Sequence, residues 1–173
     1  MFRRPDECEA DQRETGMTSS GSGGAAIRTW LAGAHPVPRQ AEAEWADSGL
    51  ALLPLGTLFD AIRVPGELIH RVMGSDDSAT AGKTLDDWLH GPVIRDTRTG
   101  SGFYYVLIAT DAPWDGPGIR LSTGTYLSVP RLSRQVSAVT FWAVLPPRRG
   151  RLCDPAHLDA LLATPEPLGE IER

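Results

Sequence analysis

The sequence predicts an α+β fold in which a mostly antiparallel sheet is flanked by short helices. The first half of the chain shows helical periodicity interrupted by prolines, and the second half changes to short β-rich runs separated by glycine and proline turns. Its 173 residues are enough for one domain with a buried core but too few for two comfortable ones. A hydrophobic share of 41% and a charged share of 23% are normal for a globular protein.

The N-terminal segment 1–24 is polar and ends in TSSGSGG, a composition that predicts a disordered tail. We expect a single domain over residues 25–165 and a C-terminal tail over 166–173. Within the domain, AIRTWLAGA and RQAEAEWADSG predict two short helices, because the two prolines of HPVP break any continuous helix between them. Trp30 and Trp45 are the predicted core anchors of these helices.

The next segment predicts strands followed by helices. LALLP (50–54) and LFDAIRV (58–64) are apolar runs joined by a glycine-containing turn, which favours two strands. PGELIHRVMG then predicts a helix with Pro65 in its first turn and Gly74 at its end. SDDSATAG is predicted to be a loop, and the next helix is predicted to begin at Thr84, with Asp87 completing a near capping box.

The second half predicts an antiparallel sheet made of PVIRD, FYYVLIA (103–109), GIRLS (118–122), TYLSV (125–129) and VTFWAV (139–144). TRTGSGF and LSTGTY are predicted hairpin turns in which glycine supplies a positive φ. Asp154 and Pro155 predict the start of a last short helix, whose apolar face carries Leu158, Leu161 and Leu162.

Several classes of protein are disfavoured. No apolar run approaches the roughly 20 residues of a spanning helix, and the charged N-terminus is unlike a signal peptide, so we expect a cytoplasmic protein without a membrane partner. Cys8 and Cys153 are far apart and are predicted to be free thiols. The four histidines share no metal-ligand spacing, so no metal site is predicted.

Two short motifs have a chemical and a structural interpretation. DSATAGKT (77–84) ends like a phosphate-binding loop, but Asp77 replaces the first glycine and no strand precedes it, which favours a helix cap. Asp111 and Asp115 bracket Trp114, and paired carboxylates can bind metal or transfer protons. The segment TDAPWDGPG is equally typical of a turn, which is the interpretation we favour.

The charge distribution leaves two alternatives open. The net charge of −5 disfavours indiscriminate nucleic-acid binding, which depends on cations at the phosphates. Residues 116–153 nevertheless contain no acidic residue. Either this segment forms a basic surface, or its arginines are scattered in loops. The segment contains Arg120, Arg131, Arg134, Arg148, Arg149 and Arg151.

Three segments carry a family resemblance: GIRLSTGTYLSVPRL (118–132), RTGSGFYYVLI (98–108) and LFDAIRVP (58–65). With them, the chain from about Leu50 to Leu145 resembles the N-terminal catalytic domain of bifunctional DNA primase/polymerases, in the archaeo-eukaryotic primase group. The first segment is similar to that family's strand, glycine turn and proline-ended strand. The resemblance implies an RRM-like core, with residues 58–65 in the place of the family's metal-binding strand.

The same resemblance implies that catalysis has been lost. The family binds divalent metal with two acids that alternate along one strand, and in this register those positions are Arg63 and Pro65. The family's active-site histidine falls at Phe103. Asp60 is the only acid in the strand and shares a face with Ile62, so it is at most a weak catalytic candidate. We therefore expect no cofactor, with Mg²⁺ or Mn²⁺ needed only if the chain is active.

Three functions follow as hypotheses. The first is a catalytically degenerate primase/polymerase-like accessory module of a replication or mobile-element system, which binds DNA or nucleotide. The second is a protein-interaction or regulatory domain without a nucleic-acid role. The third is an active primase/polymerase that uses Asp60 with Asp111 or Asp115. For the first, the candidate phosphate ligands are Arg63, Arg120, Arg131, Arg134, Arg148, Arg149 and Arg151, and the candidate stacking residues are Tyr104, Tyr105, Tyr126 and Trp142.

The family register makes a geometric prediction. It requires Arg63 and Phe103 to lie side by side in a groove that Arg120 and Arg131 line. Alternation along a strand also predicts that about half of the candidate aromatics face the core.

Overall fold

A computed structural model of the protein describes residues 23–133 and 139–164. The predicted α+β class is confirmed: over these residues, helices flank two antiparallel sheets. The helices are α1 (23–32), α2 (Pro38–Ser48), α3 (Gly66–Met73), α4 (Ser78–Leu89) and α5 (Pro155–Leu162). The strands are β1 (Leu50–Pro54), β2 (Asp60–Pro65), β3 (Val93–Asp96), β4 (Phe103–Ile108), β5 (Ile119–Leu121), β6 (Tyr126–Pro130) and β7 (Thr140–Val144).

The larger sheet has the strand order β5-β2-β4-β3-β7, with antiparallel neighbours throughout, and β1 pairs with β6 in a separate ribbon. The hairpin predicted at TRTGSGF is confirmed, since β3 pairs with β4 and Gly100 and Gly102 have φ values of 51° and 69°. The hairpin predicted at LSTGTY is wrong. Gly124 does turn the chain with a φ of 93°, but β5 pairs with β2 and β6 pairs with β1.

The five-stranded sheet separates two hydrophobic clusters, because side chains alternate across it. On its helix face, residues such as Ile62 and Val106 pack against apolar side chains of α3, α4 and α5. On its opposite face, which we call the mixed face, Ala61 and Leu107 pack against α1, α2 and the β1–β6 ribbon. Each large apolar side chain buried in either cluster contributes about 1.5–3 kcal/mol. Both clusters are continuous with the one sheet, which makes this part of the chain a single layered unit.

Helix α4 begins six residues earlier than predicted. Asp77 caps it, because the Asp77 carboxylate accepts hydrogen bonds from the Thr80 amide (3.0 Å) and the Thr80 hydroxyl (2.8 Å). Gly82 lies inside the helix, where a Cβ atom would come within 2.8 Å of the Ala143 carbonyl oxygen of β7. The loop predicted for SDDSATAG is therefore wrong from Ser78 onward. Gly82, Lys83 and Thr84 are helical and do not form a phosphate-binding loop.

The remaining boundaries agree closely with the sequence. Residues 23 and 24, predicted as tail, belong to α1, and Pro65 is the last residue of β2 and the N-cap of α3. Gly74 ends α3 with a φ of 69°, and Asp154 caps α5. The tails predicted over 1–22 and 165–173 lie outside the described residues. None of the described helices is long and apolar enough to cross a bilayer.

Candidate nucleic-acid interface

Arg63 and Phe103 lie side by side on the mixed face, as the family register requires. In the β2–β4 pair, Arg63 is opposite Tyr105 and Pro65 is opposite Phe103. The Arg63 Cζ atom is 4.9 Å from the centre of the Phe103 ring, which is cation–π distance. Phe103 does not belong to the apolar cluster of the mixed face, and both side chains are partly exposed.

Two neighbours extend this pair into a surface. Tyr105 is partly exposed beside Arg63 and packs against the apolar cluster of the mixed face. Ile119 of β5 lies opposite Arg63 with 51% of its surface exposed. Burial raises the pKa of Tyr105 and the Asp96 carboxylate adds to this effect, while Arg63 opposes it, so the phenol is a hydrogen-bond donor at neutral pH. We call Arg63, Phe103, Tyr105 and Ile119 the open surface. It combines a cation, two aromatic rings and an apolar side chain, a combination that suits stacked bases.

The β3–β4 loop places one more cation beside the open surface. Arg98 is 61% exposed, and its guanidinium binds the buried Asp96 carboxylate at 2.6–3.1 Å. Burial alone would raise the pKa of Asp96, but the hydrogen bonds and charge of Arg98 outweigh it and lower that pKa. Asp96 is therefore an anion whose charge Arg98 largely balances.

Arg120 does not line this surface, which corrects the predicted groove. It lies opposite Ile62 on the helix face, and its guanidinium donates to the Asp60 carboxylate at 2.9 and 3.0 Å. It also donates to the carbonyl oxygens of Thr110 (2.8 Å) and Ala112. These internal bonds occupy the donors that the predicted phosphate contact of Arg120 would need.

The weak catalytic candidate Asp60 is the partner of Arg120 in these contacts. Asp60 is 1% exposed; one carboxylate oxygen accepts from Arg120 and the other from the Ser122 hydroxyl (3.0 Å). Asp111 and Asp115 are exposed on the loop that Arg120 holds. Within residues 23–133 and 139–164, no three His, Cys, Asp or Glu side chains come together as a metal-binding group would require. Both carboxylate oxygens of Asp60 are therefore bound within the fold.

The other predicted phosphate ligands are dispersed. Arg131 lines a cleft of about 770 Å³ against α1 and α2, and Arg149 lines a separate cleft on α1. Arg151 donates to the His90 carbonyl oxygen (2.9 Å) at the end of α4, and Arg148 is exposed. Arg134 lies outside the described residues. Of the two alternatives for the acid-free segment, scattered arginines describe these positions better than one basic surface.

The candidate aromatics divide between core and surface, as alternation predicts. Tyr104 and Trp142 are 1% and 5% exposed, and the Trp142 indole donates to the Pro130 carbonyl oxygen (3.0 Å). Tyr126 is 62% exposed but lies on the β1–β6 ribbon. Tyr105 alone among the four belongs to the open surface, where Phe103 joins it.

Sequence reasoning missed a buried polar cluster on the helix face. The Arg95 Cζ atom lies 4.3 Å from the centre of the Tyr104 ring, and the Tyr104 hydroxyl is 2.9 Å from His70 Nε2. Burial lowers the pKa of His70, and the charge of Arg95 lowers it further. One signal was present in the sequence: alternation places Arg95 on the same face as the apolar Val93.

Comparison of the chain with protein-family models, curated proteins and solved structures gives no match. The primase/polymerase resemblance therefore stays a prediction, and function has to be argued from the surfaces themselves.

Proposed function

We propose that this chain is a nucleic-acid-binding accessory domain without polymerase activity, and that it binds single-stranded nucleic acid on the open surface. The proposal rests on the Arg63 guanidinium over the partly exposed Phe103 ring, beside Tyr105, on the mixed face of the sheet. Phe103 and Tyr105 are two residues apart on one strand, so both rings face the same side, about 7 Å apart. Each base stacked on such a ring contributes about 1–3 kcal/mol.

The absence of polymerase activity is supported by the residues around the family's metal-binding positions. Arg63 and Pro65 offer no carboxylate there, and both oxygens of Asp60 are already hydrogen-bonded inside the fold. Two-metal phosphoryl transfer needs acidic ligands that converge on the ions. We expect no primer extension with Mg²⁺ or Mn²⁺. Extension by the wild-type chain would contradict this part of the proposal, and its loss in an Asp60→Asn variant would assign Asp60 to the reaction.

Titration of a fluorescently labelled oligothymidylate of about 15 nucleotides, followed by anisotropy at low salt, tests the binding part. We expect a dissociation constant in the micromolar range, because two stacked bases and one or two phosphate contacts form a small interface. Phe103→Ala should weaken binding about tenfold or more. Tyr126→Ala is the matched control, since it removes a more exposed aromatic from the ribbon. Absence of binding at tens of micromolar protein, or equal losses in both variants, would reject the open surface.

A second candidate function, protein interaction, is favoured by a specific observation on the β1–β6 ribbon. Leu52 and Tyr126 lie on its outward face and are 51% and 62% exposed. Exposed apolar side chains grouped on one face are typical of interaction surfaces. If this function is the correct one, a stoichiometric protein partner should be retained after nuclease treatment and lost in a Leu52→Ser, Tyr126→Ser variant, while Phe103→Ala retains it.

A further inference from the structure

Among the residues that the structure describes, Arg95 differs from the other buried charges in having no ion-pair partner, although its charge helps to lower the pKa of the neighbouring Asp96. Asp60 and Asp96 are each bound by an arginine. Arg95 is 8% exposed, yet within the described ranges it forms no ion pair and no hydrogen bond, and its Nη1 atom is buried without a partner. A buried cation in this state is unfavourable, and the stacking on Tyr104 leaves its N–H donors unused. An unpaired buried group of this kind calls for an external partner.

Further donors surround the same guanidinium. A Cβ atom on Gly66 would lie 2.8 Å from Arg95 Nη1 and closer still to the Ser101 carbonyl oxygen, so the start of α3 abuts both Arg95 and the β3–β4 loop. No side chain caps this eight-residue helix. Its first amide, that of Gly66, donates to the Gly102 carbonyl oxygen (2.8 Å), and the next amides of the first turn have no intrahelical acceptor. The partial positive charge of a helix start favours an anion. The Tyr104 hydroxyl of β4 lies 2.9 Å from the imidazole of His70, which is on α3.

We propose that Arg95, together with Tyr104, His70 and the first turn of α3, binds a phosphate group. The planar guanidinium presents paired N–H donors that match two phosphate oxygens, and the hydroxyl and helix amides approach from other directions. Inorganic phosphate and the 5′-phosphate of a nucleotide share this chemistry. Because Arg95 is on the helix face and the open surface is on the mixed face, this site does not rest on the proposed nucleic-acid function.

Two exposed carboxylates lie near the cluster. Glu67 is in the first turn of α3, and Asp76 is close enough to raise the pKa of His70 against the larger effect of burial. Asp76 is the internal alternative to a bound phosphate as the counter-charge of Arg95. The two possibilities predict opposite effects of Asp76→Asn. Loss of a competing acid strengthens phosphate binding, whereas loss of a structural counter-charge destabilises the free protein.

The test measures the Tm of the full chain, with sodium phosphate, AMP or adenosine added in a sodium chloride buffer of constant ionic strength. Phosphate at about ten times its dissociation constant should raise the Tm by about 3 °C or more. If AMP raises the Tm further and adenosine has no effect, the ligand is a nucleotide phosphate; if phosphate alone raises it, the ligand is the free ion.

Arg95→Met should lose the response and should melt at or above the wild-type Tm in chloride, because the unpaired buried charge is gone. Arg71→Met removes an exposed arginine of α3 and should keep the response.

Isothermal titration of the wild-type chain with phosphate and AMP supplies a readout that does not depend on a folded Arg95 variant. No binding heat and no Tm rise at about 10 mM of either ligand would overturn the proposal. A response that Arg95→Met retains would also overturn it. So would an Asp76→Asn variant that melts well below wild type and binds no phosphate.

Discussion

At the scale of single residues, the Asp60–Arg120 pair explains why a charged residue is buried in the central sheet. Removing Arg120 leaves a buried carboxylate that keeps only the Ser122 hydroxyl as a donor. We expect Arg120→Met to lower the free energy of unfolding by about 3 kcal/mol, because the cost is that of an unpaired buried charge. Chemical denaturation of wild type and variant measures it.

Arg98→Met is the matched control for this prediction. Arg98 also binds a buried carboxylate, that of Asp96, but is itself 61% exposed. Its loss should cost about 1 kcal/mol, since solvent screens the pair and replaces part of it. If the two substitutions cost the same, the burial of Asp60 would not be the cause of the larger effect.

His70 gives the fold a defined dependence on pH. Its pKa is lowered in the folded protein, first by burial and then by the charge of Arg95, while Asp76 opposes both. The unfolded chain, with a histidine pKa near 6.5, therefore binds a proton that the folded chain resists. This contribution to stability is present above about pH 6.5 and is lost as the pH falls below it. We expect the wild-type Tm to drop more between pH 7.5 and 5.5, in phosphate-free buffer, than that of His70→Gln.

The variant retains an amide beside the Tyr104 hydroxyl and leaves every other titrating group in place, so the difference between the two profiles belongs to His70. Identical profiles would show that its protonation is not coupled to folding. A smaller drop in the wild type would mean that its pKa is raised in the folded state.

At the scale of elements, the strands were easier to predict from the sequence than the way in which they pair. Runs such as FYYVLIA carry their β preference and alternation locally, which is why β4 was predicted to within one residue. The partner of β6 is not encoded near β6. Gly124 permits a tight turn, but β6 pairs with β1, some 75 residues earlier in the chain. No local rule predicts that choice, because it depends on how the ribbon covers the mixed face.

The start of helix α4 was also mispredicted, because it depends on a tertiary contact. Gly82 suggested a loop because glycine weakens helices, yet its missing side chain is what lets α4 approach β7. We expect Gly82→Ala to destabilise the protein by about 1–3 kcal/mol, although alanine favours the helix itself. Alanine at the exposed position 79 of the same helix provides the comparison, where Ala79→Gly should cost about 1 kcal/mol through propensity alone. A more stable Gly82→Ala protein would refute close packing at this position.

The residues of the candidate site also fall into two groups: those that local alternation places and those whose positions depend on tertiary contacts. The adjacency of Arg63 and Phe103 followed from strand register, and the cation–π contact confirms it. Arg120 could not be placed, because its ion pair with Asp60 joins segments 60 residues apart. Arg95 was not predicted as a site residue, because a single arginine in a short strand does not indicate which residues it contacts. Local alternation therefore assigned faces correctly, while the contacts that decide which charges are available are tertiary.

At the scale of the whole molecule, a protein with net charge −5 can bind nucleic acid only where its cations are locally concentrated. The open surface offers Arg63. Arg98 lies beside it and binds Asp96 through Nε and Nη2, which leaves its exposed Nη1 group to contact a phosphate. Arg131, Arg149 and Arg151 lie against α1 or the end of α4. About two phosphate contacts predict a slope of about −1.4 for the logarithm of the binding constant against the logarithm of salt concentration.

Removing one of those contacts should halve that slope. We expect Arg63→Gln to bring it to about −0.7, while Arg148→Gln, an exposed arginine outside the open surface, leaves it unchanged. Anisotropy titrations at four salt concentrations measure both slopes. A wild-type slope steeper than about −3 would mean that more cations contact the strand than the open surface provides. In that case Arg131 and Arg149 would also contact the strand, and the binding site would extend across α1 rather than end at the open surface.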